Sequence, residues 1–132
     1  MKETIVVVED DIDILEVLTV YIESTGYTLY TASTFAEGKQ LIEHYLPDVI
    51  IIDVNLPDGN GFDLAEFARA HSNAIMMFLT ADDAIEYKLK GFDIGADDYI
   101  TKPFIPKELI ARIQAQLKRH KRQENVLQIQ SL

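Results

Sequence analysis

Five short apolar runs, each followed by apolar residues at helical spacing, constrain the fold of this 132-residue chain more than any other feature. They lie at residues 5–8, 28–32, 49–52, 75–79 and 99–100. Continuous apolar runs are typical of strands that are buried on both faces of a parallel sheet. The repeated order of strand and helix therefore predicts an α/β protein of (βα)5 type. We expect a flavodoxin-like, doubly wound parallel sheet with five strands in the order 2-1-3-4-5.

Glycine and proline residues mark several ends of the predicted helices. Gly26 and Gly95 follow the first and fourth helical stretches, and a glycine often follows the last helical residue. Pro47 follows the second stretch. Pro106 falls in the first turn of the fifth, where its missing N–H leaves no hydrogen bond unmade.

The composition indicates a folded domain with an acidic body. Apolar residues make up 48% of the chain, which is too many for a disordered segment, and the absence of cysteine excludes disulfides and thiolate metal sites. Residues 1–117 contain 8 Lys and Arg against 21 Asp and Glu, which argues against direct nucleic-acid binding and is compatible with a bound cation. We see no signal peptide and no run long enough to cross a bilayer, so we expect a soluble cytoplasmic protein without membrane contact.

Polar and charged residues stand directly after four of the predicted strands. Glu9 and Asp10 follow the first strand, Asp53 the third, Thr80 the fourth and Lys102 the fifth. In doubly wound sheets, ligands bind at the carboxyl ends of the strands, near the point where the strand order reverses. We therefore expect three acids, a hydroxyl and an amine to converge on one crevice.

The acids of this crevice favour a hard cation. Adjacent unit charges about 4 Å apart repel by roughly 4 kcal/mol at an effective dielectric constant near 20. A divalent cation offsets that repulsion, and a set of carboxylates without Cys or His suits Mg²⁺. Glu9, Asp10 and Asp53 are the predicted ligands, while Asp11 is expected to face the first turn of the first helix.

Asp53 is also a candidate nucleophile, because it follows four apolar residues and so ends a strand beside a dry core. A carboxylate in that position can form an aspartyl phosphate. Phosphoryl transfer needs mainly positioning and charge neutralisation, and Lys102 would supply a second positive charge beside Mg²⁺. The Thr80 hydroxyl can donate to a phosphoryl oxygen, and the small Ala81 leaves its own N–H and the approach path open.

Simpler roles exist for the same acids. Asp10 and Asp11 could cap the first helix, and Asp53 could open the turn of the following "LPDGNG" segment. The combination of these acids with Lys102 favours the site over the simpler roles.

Four motifs resemble the receiver domains of bacterial two-component response regulators. They are "VVVEDD" at the first strand, "IIDVNLPDGNGFDL" at the third, "FLTADD" at the fourth and "YITKPF" at the fifth. The resemblance covers about residues 3–122, with all motifs in order. It implies that Asp53 is the phosphoacceptor, that Glu9 and Asp10 form the acidic pair, and that the Asn55 carbonyl is a further metal ligand.

The resemblance also implies a switch and a regulatory role. Thr80 and Tyr99 are the expected switch residues, Lys102 binds the phosphoryl group, and the Lys102–Pro103 bond is expected to be cis. Receiver domains take a phosphoryl group from a sensor histidine kinase. They are not ordinary enzymes, because they catalyse only their own phosphorylation and a slow loss of the phosphoryl group to water. We expect Asn55 and Asp82 to flank the path of that water.

The segment "GADDYITKPFIPKELIARI" looks closest to the OmpR/PhoB subfamily, which carries a C-terminal winged-helix DNA-binding domain and regulates transcription. Residues 1–122 are therefore predicted to form the receiver domain. Residues 123–132 are predicted to be a linker and the start of an absent C-terminal winged-helix effector domain, through which alone DNA would be bound. Within them, "VLQIQ" alternates apolar and polar residues as a half-buried strand does.

In this subfamily the active form is a homodimer through the fourth helix, fifth strand and fifth helix. The resemblance implies acid–base pairs such as Lys88–Glu108 and Asp97–Arg112 at that face. Mixed charges around a small apolar centre suit a self-complementary interface, and a solvated surface is the alternative. The expected residues are Lys88, Lys90, Asp97, Asp98, Glu108, Arg112 and Arg119, around Ile85, Leu89 and Ala111.

Two rival functions use the same fold class or chemistry. Phosphohydrolases of the haloacid-dehalogenase type carry D-x-D, whose second Asp is the general acid, and here that position is Asn55. A flavodoxin-like FMN binder would need a phosphate loop rich in Ser, Thr and Gly after the first strand. The acidic "EDDID" in that place would repel a phosphate.

Overall fold

The computed structural model describes residues 2–81 and 85–130, and in these residues a five-stranded parallel sheet carries helices on both faces. The strand order is β2-β1-β3-β6-β7, so the predicted order 2-1-3-4-5 is confirmed. The elements are β1 (Thr4–Val8), α1 (Ile12–Ser24), β2 (Thr28–Ala32), α2 (Phe35–Tyr45), β3 (Val49–Asp53), β4 (Asn55–Leu56), β5 (Gly59–Asn60), α3 (Gly61–His71), β6 (Ile75–Thr80), α4 (Ile85–Ile94), β7 (Asp98–Thr101) and α5 (Pro106–Gln130).

The central strands are buried on both faces, which explains their continuous apolar runs. Val6 and Ile50 point into the core beneath α2 and α3, whereas their neighbours Val7 and Ile51 point into the core beneath α1 and α5. Successive side chains of a strand point to opposite faces, so both cores draw on the same strands. The carboxyl ends of β1, β3, β6 and β7 therefore lie side by side at one edge of the domain.

Side-chain caps and glycines set several helix ends as the sequence predicts. Asp11 caps α1 by accepting from the N–H groups of Asp13 and Ile14, which is the first-turn position predicted for it. Gly26 and Gly95 follow α1 and α4 with φ of 99° and 105°, a backbone conformation that favours glycine.

The apolar residues of α4 do not all face a core. Leu89 and Phe92 are 58% and 53% exposed, although their three-residue spacing is typical of the buried face of a helix. Ile94 and Ala96 pack against the core instead. Leu89 belongs to the face that the sequence predicts for dimerisation, and Ile85, also predicted there, is not among the residues whose side chains are described.

The prediction of a half-buried strand at "VLQIQ" is wrong, because α5 continues without a break to Gln130. Five alternating residues favour a strand only where a sheet edge offers hydrogen-bond partners, and the preceding helix contains no Gly or Pro beyond Pro106 to end it. The assignment of residues 123–132 as a linker stays a prediction. No helix among residues 2–81 and 85–130 is long and apolar enough to span a membrane.

Candidate functional site

The strand ends bring the predicted polar residues together. Glu9, Asp53 and Thr80 are buried, with 0%, 5% and 0% of their surfaces exposed, although all three are polar or charged. Lys102 is half-buried beside them, and its backbone N–H donates to the Thr80 carbonyl at 2.7 Å. Burial of charged groups is costly unless they are paired, so this cluster is a built site rather than a chance grouping.

The Lys102 ammonium bridges two carboxylates. Its Nζ lies 2.8 and 3.0 Å from the two carboxylate oxygens of Glu9 and 2.7 Å from Oδ2 of Asp53. The other Asp53 oxygen accepts the Asn55 backbone N–H at 2.9 Å. Each oxygen of the candidate nucleophile therefore has a donor that fixes its orientation.

The cluster also changes the protonation of its members. Burial and the neighbouring Asp53 carboxylate raise the pKa of Glu9 to about 7, although its bonds to Lys102 act in the opposite direction. Burial acts to lower the pKa of Lys102, but hydrogen bonds to Asp53 and Glu9 outweigh it and the pKa is raised. Lys102 is therefore a cation at neutral pH, facing a site with an excess of acid.

The predicted metal ligands have compatible geometry. Glu9, Asp10 and Asp53 offer carboxylate oxygens that all lie within 4.8 Å of one another. Glu9 and Asp53 are buried and Asp10 is exposed, so the group opens to solvent on one side. Carboxylate oxygens at this separation fit a hard cation such as Mg²⁺, which keeps several of its waters.

The other predicted site residues that the structure describes follow or belong to β6 and β7. Tyr99 is 8% exposed in β7, and its ring centroid is 6.2 Å from that of Phe78. Ala81 follows Thr80 and is exposed. The Lys102–Pro103 bond is cis, as the resemblance implied. Asp82 lies outside the described residues.

Among the described residues, five charged side chains of the predicted dimer face form ion pairs within the chain, but not all as expected: Asp97, Asp98, Glu108, Arg112 and Arg119. Arg112 binds Asp98 at 2.9 Å and Glu108 at 3.1 Å, and Asp97 is not its partner within the chain. The Asp97 carboxylate instead accepts the Met76 N–H at 2.9 Å and lies 3.5 Å from the Arg119 guanidinium. Whether a pair forms between two copies stays a prediction.

Asp58 has a structural role that its sequence context does not predict. Its carboxylate accepts hydrogen bonds from backbone N–H groups of α2, 22 and 23 residues away along the chain. An acidic residue before Gly59 indicates a turn, but nothing in the neighbouring sequence indicates that its hydrogen-bond partners lie in α2.

A sequence model of the response regulator receiver domain matches residues 5–114, and the chain belongs to this family. It is a receiver domain of the two-component type, with the CheY-like fold.

The most similar proteins include transcription regulators and isolated receiver domains. ArcA, the aerobic respiration control protein of Escherichia coli K12, is 42% identical over 115 residues, which cover 87% of this chain and 48% of ArcA. A CheY-like receiver domain from Methanospirillum hungatei JF-1 superposes with a TM-score of 0.89 at 29% identity, covering 93% of this chain and 99% of that one. The response regulator DrrB, an OmpR/PhoB homologue of Thermotoga maritima, has a TM-score of 0.83 at 34% identity, covering 91% and 54%. The chain spans about half the length of the curated relatives it matches.

Proposed function

We propose that this domain accepts a phosphoryl group from a sensor histidine kinase on Asp53, with Mg²⁺ bound beside it, and that the modification switches its output surface. The observation that carries the proposal is the position of Asp53. Its carboxylate is nearly buried, held 2.7 Å from the Lys102 ammonium, and lies within 4.8 Å of the ligand atoms of Glu9 and Asp10. This arrangement suits phosphoryl transfer, because that reaction depends on positioning and charge neutralisation.

The chain's own residues have distinct tasks in this reaction. An Asp53 oxygen attacks phosphorus, the new O–P bond forms, and the bond from phosphorus to the donor breaks with its electron pair leaving on the donor. Glu9, Asp10, Asp53 and the Asn55 carbonyl would hold Mg²⁺, which when bound neutralises charge on the phosphoryl oxygens. Lys102 already lies beside Asp53 and would turn its ammonium toward a phosphoryl oxygen. The Thr80 hydroxyl and the Ala81 N–H would donate to the others.

The switch follows from new contacts at these groups. A phosphoryl group adds charge next to Thr80 and Lys102, at the ends of β6 and β7. Movement of those ends would shift Tyr99 and the face formed by α4, β7 and α5. The exposed Leu89 and Phe92 supply an apolar centre for a homodimer at that face, surrounded by charged residues.

An apolar groove beside the site supports docking of a kinase helix. Ile14, Val17 and Phe104 line it, and it reaches Lys102 at the edge of the site. Ile12 and Val20 extend the apolar surface along α1, where they are 67% and 66% exposed. A partner helix lying on α1 would bring its phosphorylated side chain near Asp53.

Transcription regulation would be a property of the longer protein. The relatives named above include a control protein about twice the length of the matched segment, which supports a further domain in the longer protein. Its position after α5 follows from the resemblance to the OmpR/PhoB subfamily. DNA binding would then belong to that domain, since this domain is acidic.

A stoichiometry experiment tests the proposal against the phosphohydrolase alternative. Purified protein is incubated with acetyl phosphate and Mg²⁺, and bound phosphoryl groups and released inorganic phosphate are both followed over time. The proposal predicts one slowly lost phosphoryl group per chain and none when EDTA removes Mg²⁺. Continuous release of many equivalents of phosphate without a lasting phosphoprotein would overturn it in favour of hydrolysis.

A further inference from the structure

The short hairpin that follows Asp53 is tied to a distant helix by one exposed side chain. Strands β4 and β5 form the hairpin, and Asp58 lies in the turn between them. The Asp58 carboxylate accepts the Phe35 N–H at 2.6 Å and the Ala36 N–H at 3.1 Å. These two N–H groups belong to the first two residues of α2, so Asp58 acts as an N-terminal cap supplied from another segment of the chain.

Asp58 shares the capping of α2 with a residue of the helix itself. The Thr34 hydroxyl oxygen accepts the Glu37 N–H at 3.2 Å, while Asp58 takes the two N–H groups before it. A carboxylate at a helix N-terminus is also favoured by the helix dipole. The bond from Phe35, followed by that from Ala36, holds the pKa of Asp58 below its ordinary value. Thr34 and Asp58 therefore stabilise the same turn, but only Asp58 connects it to the hairpin.

The hairpin packs closely on α2 at the same place. A Cβ atom on Gly59 would lie 2.8 Å from Cδ2 of Phe35, so any other residue here would force the Phe35 ring to shift. The far end of the hairpin is fixed separately, since the Gly61 N–H donates to the Val54 carbonyl at 2.7 Å. The carboxylate and the glycine together hold the hairpin turn on α2.

The same hairpin begins at the candidate metal site. Asn55 is the first residue of β4, and its N–H donates to Oδ1 of Asp53 at 2.9 Å. Its carbonyl is the ligand that the family resemblance implies. The Asn55 side chain is exposed, while its neighbours Val54 and Leu56 are buried, so its position is set by these two residues together with the hairpin turn.

We propose that Asp58 is a positioning residue for the metal site: by anchoring the hairpin on α2, it holds Asn55 in place beside Asp53. This inference rests on the proposed function, because it assumes that Mg²⁺ binds among Glu9, Asp10, Asp53 and Asn55. Asp58 makes its contacts with α2 and acts on the site through the hairpin.

A pair of matched variants separates positioning from simple helix capping. Asp58→Ala and Thr34→Ala each remove part of the α2 cap and are both expected to lower Tm. Only Asp58→Ala releases the hairpin, so we expect its Mg²⁺ affinity to fall by roughly tenfold, the lower end of what outer partners of metal ligands contribute. Mg²⁺ titration by calorimetry, with hydrogen exchange of the Asn55–Asn60 amides in the metal-free protein, measures both effects.

A third variant distinguishes anchoring from loss of charge. Asp58→Asn removes the charge but keeps one oxygen that can accept from Phe35, so we expect Mg²⁺ affinity and hairpin protection between those of wild type and Asp58→Ala. Equal Mg²⁺ affinities for Asp58→Ala and Thr34→Ala would overturn the positioning role, as would an Asn variant identical to the Ala variant. Wild-type protein that binds no Mg²⁺ would instead overturn the proposed function, and this inference with it.

Discussion

Lys102 Nζ lies 2.7 Å from Oδ2 of Asp53 and 2.8 Å from Oε1 of Glu9, so one cation joins the ends of β1, β3 and β7. Two buried carboxylates share this ammonium, and the strands that carry them are the central strands of the sheet. The same contact is therefore part of the domain's stability and part of its candidate chemistry. Varying the Mg²⁺ concentration should therefore separate the contribution of Lys102 to stability from its contribution to the chemistry of the site.

Replacing Lys102 with Met should destabilise the metal-free protein. The change leaves Glu9 and Asp53 without their cation, and we expect the free energy of unfolding to fall by about 2 kcal/mol, less than for a fully buried pair because Glu9 can take up a proton. Mg²⁺ should restore much of this loss by neutralising the same carboxylates. Urea unfolding of Lys102→Met and wild type, with EDTA and with Mg²⁺, checks the prediction. Equal stabilities in EDTA would show that the bridge contributes nothing.

Reversing the charge of Arg112 should weaken phosphorylation-dependent dimerisation. Arg112 orders Asp98 and Glu108 on the proposed dimer face, so Arg112→Glu places three acids together there. We expect the dimer fraction measured by sedimentation with beryllofluoride and Mg²⁺ to fall, while Asp53 labelling is unchanged. Lys118→Glu, with the same charge change at an exposed position of α5, is the control. If both variants dimerise as the wild type does, the face is a solvated surface.

The cap that Asp58 provides for α2 should disappear in acid. Because the pKa of Asp58 is lower in the folded chain than in the unfolded one, its contribution is fully present above the unfolded pKa of about 3.9 and is lost as pH falls through the folded pKa. The difference in stability between wild type and Asp58→Ala should therefore be constant near neutral pH and vanish in strong acid. Urea unfolding midpoints of wild type and Asp58→Ala, measured from pH 7 down to about pH 2, would reveal this pH dependence. A difference that persists unchanged in strong acid would mean that the carboxylate charge is not what stabilises α2.

The sequence predicted the sheet and the meeting of its strand ends because both depend on local signals. Continuous apolar runs identify buried parallel strands, and parallel strands place their carboxyl ends at one edge. Asp53 and Lys102 could thus be assigned to one crevice although 49 residues separate them. That Lys102 also binds Glu9 did not follow from strand order, since it depends on the length and rotamer of the side chain.

Other features could not be predicted, because they depend on contacts with distant segments or on distinctions that hydrophobic periodicity does not make. Asp58 caps a helix 23 residues earlier in the chain, and nothing in "LPDGNG" indicates that helix. "VLQIQ" satisfies a strand pattern, but the helix before it continues. Phe92 lies three residues after Leu89, at the spacing of a core face, yet it is exposed, and periodicity does not distinguish a core from an interface.

The most direct test of the account is the location of the phosphoryl group. Wild type and Asp53→Asn are incubated with acetyl phosphate and Mg²⁺, trapped by borohydride reduction, and mapped by peptide mass spectrometry. Asn keeps the shape of the side chain but loses the nucleophilic carboxylate, so the account predicts a single modified residue, Asp53, in wild type and no modification in the variant. Undiminished labelling of Asp53→Asn, or a wild-type label on another residue, would contradict it.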